Sequence, residues 1–364
     1  MFIIRIAASK LLAAGSIVLL KTRTLQSIAA GVMMLVTAMY ASVQAQDSEL
    51  IQLRHQLALK YFEPEPHMAL VKYFRDRGDS LQAFYLSEYA RRGHFPEAQF
   101  DRAFAKVFGQ RARRDEGGEA IFNKAIALHQ SGNLNEAEEN FIKAAALSPR
   151  TAEIQTWTGR FFYKVRKDDE RALPYYLNAY FLDPHAYDGE FVEYRIQKIN
   201  YEAATVRHRW LVQTGVSLAE RLRDKNPAVA VVAIESLEGT WSPEVLELML
   251  RCLDHDDEQV RWGATMTLAR NVDRSFDSTL KALLQDKDLR KRGLAAYIAA
   301  RSWKRESYPI LQQMLREQAQ LLRFDAISAL AMDDSPEARR LLQQHRRSES
   351  HPTLLKLIDK TTKR

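Results

Sequence analysis

Asp254-His255-Asp256-Asp257-Glu258 sets five consecutive side chains of cation-binding type in one run. A calcium loop alternates its oxygen ligands and keeps a glycine at the bend. This run does neither, so it is expected to be a polar turn and not a metal site. Cys252 is the only cysteine of the chain. A reactive thiol needs a nearby imidazole or a helix start. Cys252 instead stands near a helix end, at a position that Leu283 and Met314 occupy later on, so a buried apolar role is expected. A lone cysteine also precludes an internal disulfide and clustered thiolate zinc sites. The nine histidines are scattered. There is no His-Glu-x-x-His, no glycine-rich phosphate loop and no Gly-x-Ser-x-Gly. The expectation is a protein without catalytic residues, metal or cofactor.

Three sets of residues remain as binding candidates. Arg261, Arg292 and Arg323 recur every 31 residues and would suit an acidic partner. Asp257 and Asp288 stand four residues before Arg261 and Arg292, where an acid shares the helix face or caps its start. The favoured reading is that this column braces turns. A second set, Tyr201, Arg207, His208, Arg209 and Trp210, makes the 187–217 segment basic and aromatic. Such a segment suits nucleic acid or a membrane surface. The plainer reading packs its aromatics between domains and solvates its arginines. The third set depends on how the helices pair.

The elements that would position these residues are helices. Apolar residues make up 46% of the 364, with only 14 glycines and 11 prolines, which argues against a turn-rich β protein and against disorder. Ala233, Ala264, Ala295 and Ala326 are spaced by 31, as are Leu237, Leu268, Ala299 and Leu330. Met249, Leu280, Leu311 and Leu342 keep the same interval, and so do Leu253, Leu284 and Leu315. Each unit reads as two helices that cannot bury their apolar stripes alone, so four units stack on one core. A second period, of 34 to 35 residues, relates Ala125, Ala137, Phe141, Ala144 and Pro149 to Gly159, Ala172, Tyr176, Ala179 and Pro184. Small residues let paired helices approach, the aromatic ring fills the gap, and proline ends the pair.

Residues 118–186 resemble two tetratricopeptide repeats, and residues 67–110 a degenerate tetratricopeptide-like or Sel1-like version, or a generic cap. The stretch from Asp256 to Leu268 resembles the short HEAT repeat of the phycobilisome-lyase type, over about residues 220–346. The fit is best in the second and third units, since Ala230 replaces the arginine of the first and Ala319 the acid of the fourth. In HEAT proteins such acid–arginine columns hold inter-repeat turns together. The His-Glu pairs of iron-binding HEAT hydroxylases are absent. The tetratricopeptide resemblance implies a concave face carrying Phe122, Ile126 and His129 from one unit and Glu153, Thr156 and Arg160 from the next. Phe122 and Ile126 stand where carboxylate-clamp members carry lysine and asparagine. The groove is therefore expected to be apolar and suited to an amphipathic helix or extended peptide, unless a neighbouring helix of this chain fills it.

The first 45 residues carry Arg5, Lys10, Lys21 and Arg23 and no acid, so four of the seven net positive charges lie there and the rest of the chain carries +3. Lys21 and Arg23 precede an apolar stretch from Ile28 to Ala41, followed by Val43-Gln44-Ala45, the order of a secretory signal. Cleavage between Ala45 and Gln46 is expected. The alternative is an uncleaved membrane anchor, for which an apolar core of about 14 residues is short against the roughly 20 of a span.

The sequence thus predicts an all-α, α-solenoid protein. Its order is a signal peptide (1–45), a helical cap (47–117), tetratricopeptide repeats (118–186), a connecting helix (187–217), HEAT repeats (218–346) and a tail (347–364). Its expected work is non-catalytic scaffolding in a periplasmic or secreted setting of a bacterial-type envelope. The partners are other proteins or peptides, with no nucleic acid and no membrane beyond an uncleaved leader. Two rival readings are a HEAT-repeat lyase or enzyme accessory subunit, and nucleic-acid binding through the arginine columns.

Overall fold

The computed structural model describes residues 48–362 apart from 94, 110–115, 186–191, 238–239 and 334. The signal-peptide reading, with Ala45 and Gln46, lies outside the described residues. Two compact units divide the chain, 1–52 and 53–364. Of the first, residues 48–52 are helical. The second is an α-solenoid, with no strand among the described residues.

After a helical segment at 53–59, α1 (Pro64–Asp76) and α2 (Ser80–Gly93) form a hairpin and α3 (Glu97–Phe108) follows. Then α4 (Glu119–Gln130) pairs with α5 (Leu134–Leu147), and α6 (Ala152–Arg160) with α7 (Asp169–Leu182). The small and aromatic columns do here what their spacing predicts. Ala125, Ala137, Phe141, Ala144, Ala172, Tyr176 and Ala179 are all fully buried. A Cβ on Gly159 would lie 3.1 Å from the Tyr176 ring, so α6 and α7 approach this closely because residue 159 has no side chain. The long α8 (Val192–Gln213) packs on α7 on one side and on α10 (Pro227–Glu235) on the other, after the short α9 (Leu218–Arg221), so the stack of helices is continuous.

The 31-residue units follow as α10 with α11 (Pro243–Cys252), α12 (Glu258–Asn271) with α13 (Asp277–Leu283), α14 (Leu289–Trp303) with α15 (Tyr308–Met314), and α16 (Gln320–Ala331) with α17 (Pro336–Arg346). Ala233, Ala264, Ala295 and Ala326 have no exposed surface, nor do Met249, Leu280, Leu311 and Leu342. The first helix of each unit packs directly on the next one, α10 on α12, α12 on α14 and α14 on α16. Local chemistry sets each start. Asn226, Asp257 and Asp288 accept hydrogen bonds from the first turns of α10, α12 and α14, whereas Ala319 gives α16 no side-chain cap.

Two features correct the expected organisation. Residues 347–364 hold a further helix, α18 (Pro352–Thr362), about one period beyond α16. Its Leu354 and Ile358 are fully buried in the core of the array, so it acts as half of a fifth unit and closes the last one. The cap is also not a terminal layer of the stack. Ala58, Tyr61 and Phe62 belong to the same core cluster as the repeats. The Phe62 backbone N–H donates to Gln320 Oε1 at 2.9 Å, and the rings of Phe62 and His351 lie 4.8 Å apart. Arg54 pairs with Asp256. The segment 53–62 therefore runs along the array from the second unit to α18. Meanwhile α2 and α3 reach α7, where Tyr180 donates to Glu88 at 2.9 Å and Phe104 stacks on Phe181.

Candidate functional site

The inner face of the array carries two adjoining columns at the 31-residue interval, Val231, Trp262, Gly293, Phe324 and Val232, Gly263, Leu294, Asp325. The cap covers this face incompletely. Between them lies a cavity of about 650 Å³, walled by Tyr61, His67 and Tyr89 from the cap and by Trp262, Tyr297 and Phe324 from the repeats. The rings are in mutual contact, Tyr61 with Phe324 at 5.5 Å and Trp262 edge-on to Tyr297 at 4.9 Å. Tyr61 and Tyr89 share a hydroxyl–hydroxyl hydrogen bond of 2.6 Å, and the His67 ring Nε2 lies 2.8 Å from the Tyr61 backbone oxygen.

Asp325 stands on this wall with 7% of its surface exposed. Its carboxyl takes one hydrogen bond among the described residues, from the Tyr297 hydroxyl at 3.3 Å. The other oxygen lies over Gly293, where a Cβ would come within 1.8 Å of it. Burial, and then the nearby Glu258 carboxylate, push the Asp325 carboxyl well above the usual carboxylate range. Burial likewise raises the hydroxyls of Tyr61 and Tyr297 well above the ordinary tyrosine range. At the other end of the cavity Arg54 is lowered to about 10 by burial and by Arg290 and Arg261 beside it. A second, more polar hollow of about 660 Å³ adjoins and shares Leu86, Tyr89, Val231, Glu258 and Gln259 with the first.

The arginine column is engaged within the chain. Arg261 donates to the backbone oxygens of His255 and Asp256 at 2.7 and 2.8 Å and pairs with Glu258. Arg292 pairs with Glu317 at 2.7 Å, and Arg323 with Glu349 at 2.9 Å, each acid lying on the turn that leads into the next inner helix. Arg292 and Arg323 tie their unit to the turn of the next, while Arg261 braces the turn that precedes its own helix. The acidic run before them is divided up. Asp254 pairs with Lys291 at 2.5 Å, Asp256 with Arg54, Asp257 caps α12, and His255 Nδ1 accepts the Asp257 N–H at 3.0 Å. Burial first, then Arg261 and Arg54, lower the His255 imidazole to about 4. The Cys252 thiol is buried and raised to about 11 by desolvation.

The residues expected in an open tetratricopeptide groove are otherwise placed. Phe122 is 7% exposed and packs on Phe141 and Trp157, and Ile126 packs in the same cluster. Thr156 is buried, its hydroxyl donating to the Ala152 carbonyl. His129 stands edge-on to Phe161 at 5.7 Å, and the Arg160 guanidinium lies over Trp157 at 4.7 Å. Glu153 is exposed. The face expected as an apolar groove is thus corrected to a packed one. On α8, His208 is buried against Arg221, Arg207 pairs with Asp224, and Tyr201 and Trp210 are exposed.

Residues 216–299 match the profile of HEAT repeats. Over that stretch the 31-residue units are similar to HEAT repeats. No curated protein matches the chain. The matched stretch spans α10 to most of α14 and so includes Arg261, Trp262 and Tyr297, whereas Asp325 and the cap residues lie beyond it. Sequence reasoning missed the cavity because half of it comes from residues more than a hundred positions upstream. Asp325, an acid in a column of Val232, Gly263 and Leu294, was the readable signal.

Proposed function

We propose that the protein is a non-catalytic scaffold or adaptor of the cell envelope that binds other proteins through surfaces of its solenoid. HEAT repeats are commonly interaction scaffolds, and their extended surfaces suit such work. The observation that carries the reading is the number of large apolar side chains that α8 exposes. Of nine large hydrophobic side chains that stand exposed among the described residues, Tyr194, Tyr201, Val206, Trp210 and Val212 lie on this one helix. Trp210 is 56% exposed. Apolar side chains concentrated in this way mark contact surfaces, while singly scattered ones do not. The envelope setting rests on the leader sequence. We further read α4–α7 as tetratricopeptide repeats, supported by the Gly159–Tyr176 packing, and the HEAT units as the phycobilisome-lyase type.

The test is a crosslinking pull-down from intact envelopes with the native chain and with a Val206→Glu/Trp210→Glu variant. The native chain is expected to retain protein partners that the variant loses, and its mature form to begin at Gln46. Equal capture by both, or recovery of a chromophore in place of protein, would overturn the reading.

A further inference from the structure

We propose that the cavity beneath the cap binds a small organic cation, a primary ammonium carried on an apolar body, with Asp325 as its counter-ion. This does not rest on the partner-binding reading. The charges around the cavity are nearly all matched in place. Arg54 faces Asp256, Arg261 faces Glu258, and Arg290 faces Asp288 at 2.6 Å. Glu235 accepts the Tyr201 hydroxyl at 3.1 Å. Asp325 has no cation beside it among the described residues, and one of its oxygens accepts no hydrogen bond there. A buried acid in this state lacks one positive charge and at least one donor, which is what an ammonium brings.

The walls fit the same ligand. Aromatic faces attract a desolvated cation. Tyr61, Tyr89, Trp262, Tyr297 and Phe324 surround the carboxyl with such faces and with three phenol oxygens. Glu258 and Asp325 both bear on Tyr61 and Tyr89, with Arg261 opposing them at Tyr89, so the two carboxyls and the rings face the same space. At about 650 Å³ the cavity falls among those that hold a drug-sized molecule. The adjoining hollow, which shares Tyr89 and Glu258 with the cavity, gives a ligand an approach. The notch that receives the carboxyl exists because residue 293 is glycine.

Calorimetric titration of the full chain with phenethylammonium chloride, and with 2-phenylethanol as its uncharged counterpart, tests this. The amine is expected to bind at least tenfold more tightly than the alcohol. Asp325→Asn, which keeps the shape, should abolish that preference. Trp262→Leu, at the rim, should weaken the amine several-fold while the melting profile stays two-state, and it decides the matter if Asp325→Asn does not fold. Equal binding of amine and alcohol by the native chain, a preference that survives Asp325→Asn, or no heat from the amine at millimolar concentration would each overturn the proposal.

Discussion

Burial, and then Glu258 next to it, raise the Asp325 carboxyl well above the usual carboxylate range, while Arg261 is paired with Glu258. In the unfolded chain the same carboxyl ionises in the ordinary range near 4. Between that range and its raised native value the folded state holds a proton that the unfolded state has lost. Stability is therefore full below the ordinary carboxylate range and falls as pH rises through the interval above it. Asp325→Asn removes this loss. The variant should be more stable than the native chain at pH 8 by about 1–3 kcal/mol, and the two should converge near pH 4 in thermal melts. Cys252 offers a second check at this scale. With its thiol buried and raised to about 11, iodoacetamide at pH 8 should label the chain only at the rate at which it opens. The cysteine's inert role was legible from its alignment with Leu283 and Met314. The role of Asp325 was not, because the partners that define it come from the cap.

At the level of elements, the 31-residue columns predict which substitutions break a unit. Ala264→Asp would set a charge where α12 meets its neighbours with no exposed surface, at a cost of about 3–5 kcal/mol by urea denaturation. Arg323→Ala would leave Glu349 with His345, at 3.1 Å, and the backbone N–H groups of Ser350 and His351 but no arginine, and should cost about 1–3 kcal/mol, with the loss concentrated at α17 and α18 in hydrogen exchange. These inner columns were readable because each position meets its own equivalent in the next unit. What escaped the sequence was any contact that breaks this locality. The helix α18 was hidden because its unit has no second helix to continue the outer columns. Phe122 and Thr156 were expected on an open surface, but the ring of Phe122 packs on Phe141 and Trp157 and the Thr156 hydroxyl bonds its own helix.

For the whole 53–364 unit, the segment 53–62 matters more than its length suggests. It touches the second unit through Arg54, the fourth through Gln320 and Phe324, and α18 through His351. Phe62→Ala should destabilise the unit by about 3–5 kcal/mol and speed amide exchange along α16 and α18 together, far from the mutated position in sequence. Repeat arrays without such a tie tolerate gain or loss of a module, since each one answers only to its neighbours. Here a duplicated or deleted 31-residue module between Asp256 and Gln320 would shift one anchorage by a full step and leave the ten-residue tie too short or too long. The number of modules is in effect measured by that tie. Descendants of this chain should vary in their loops and keep their module count.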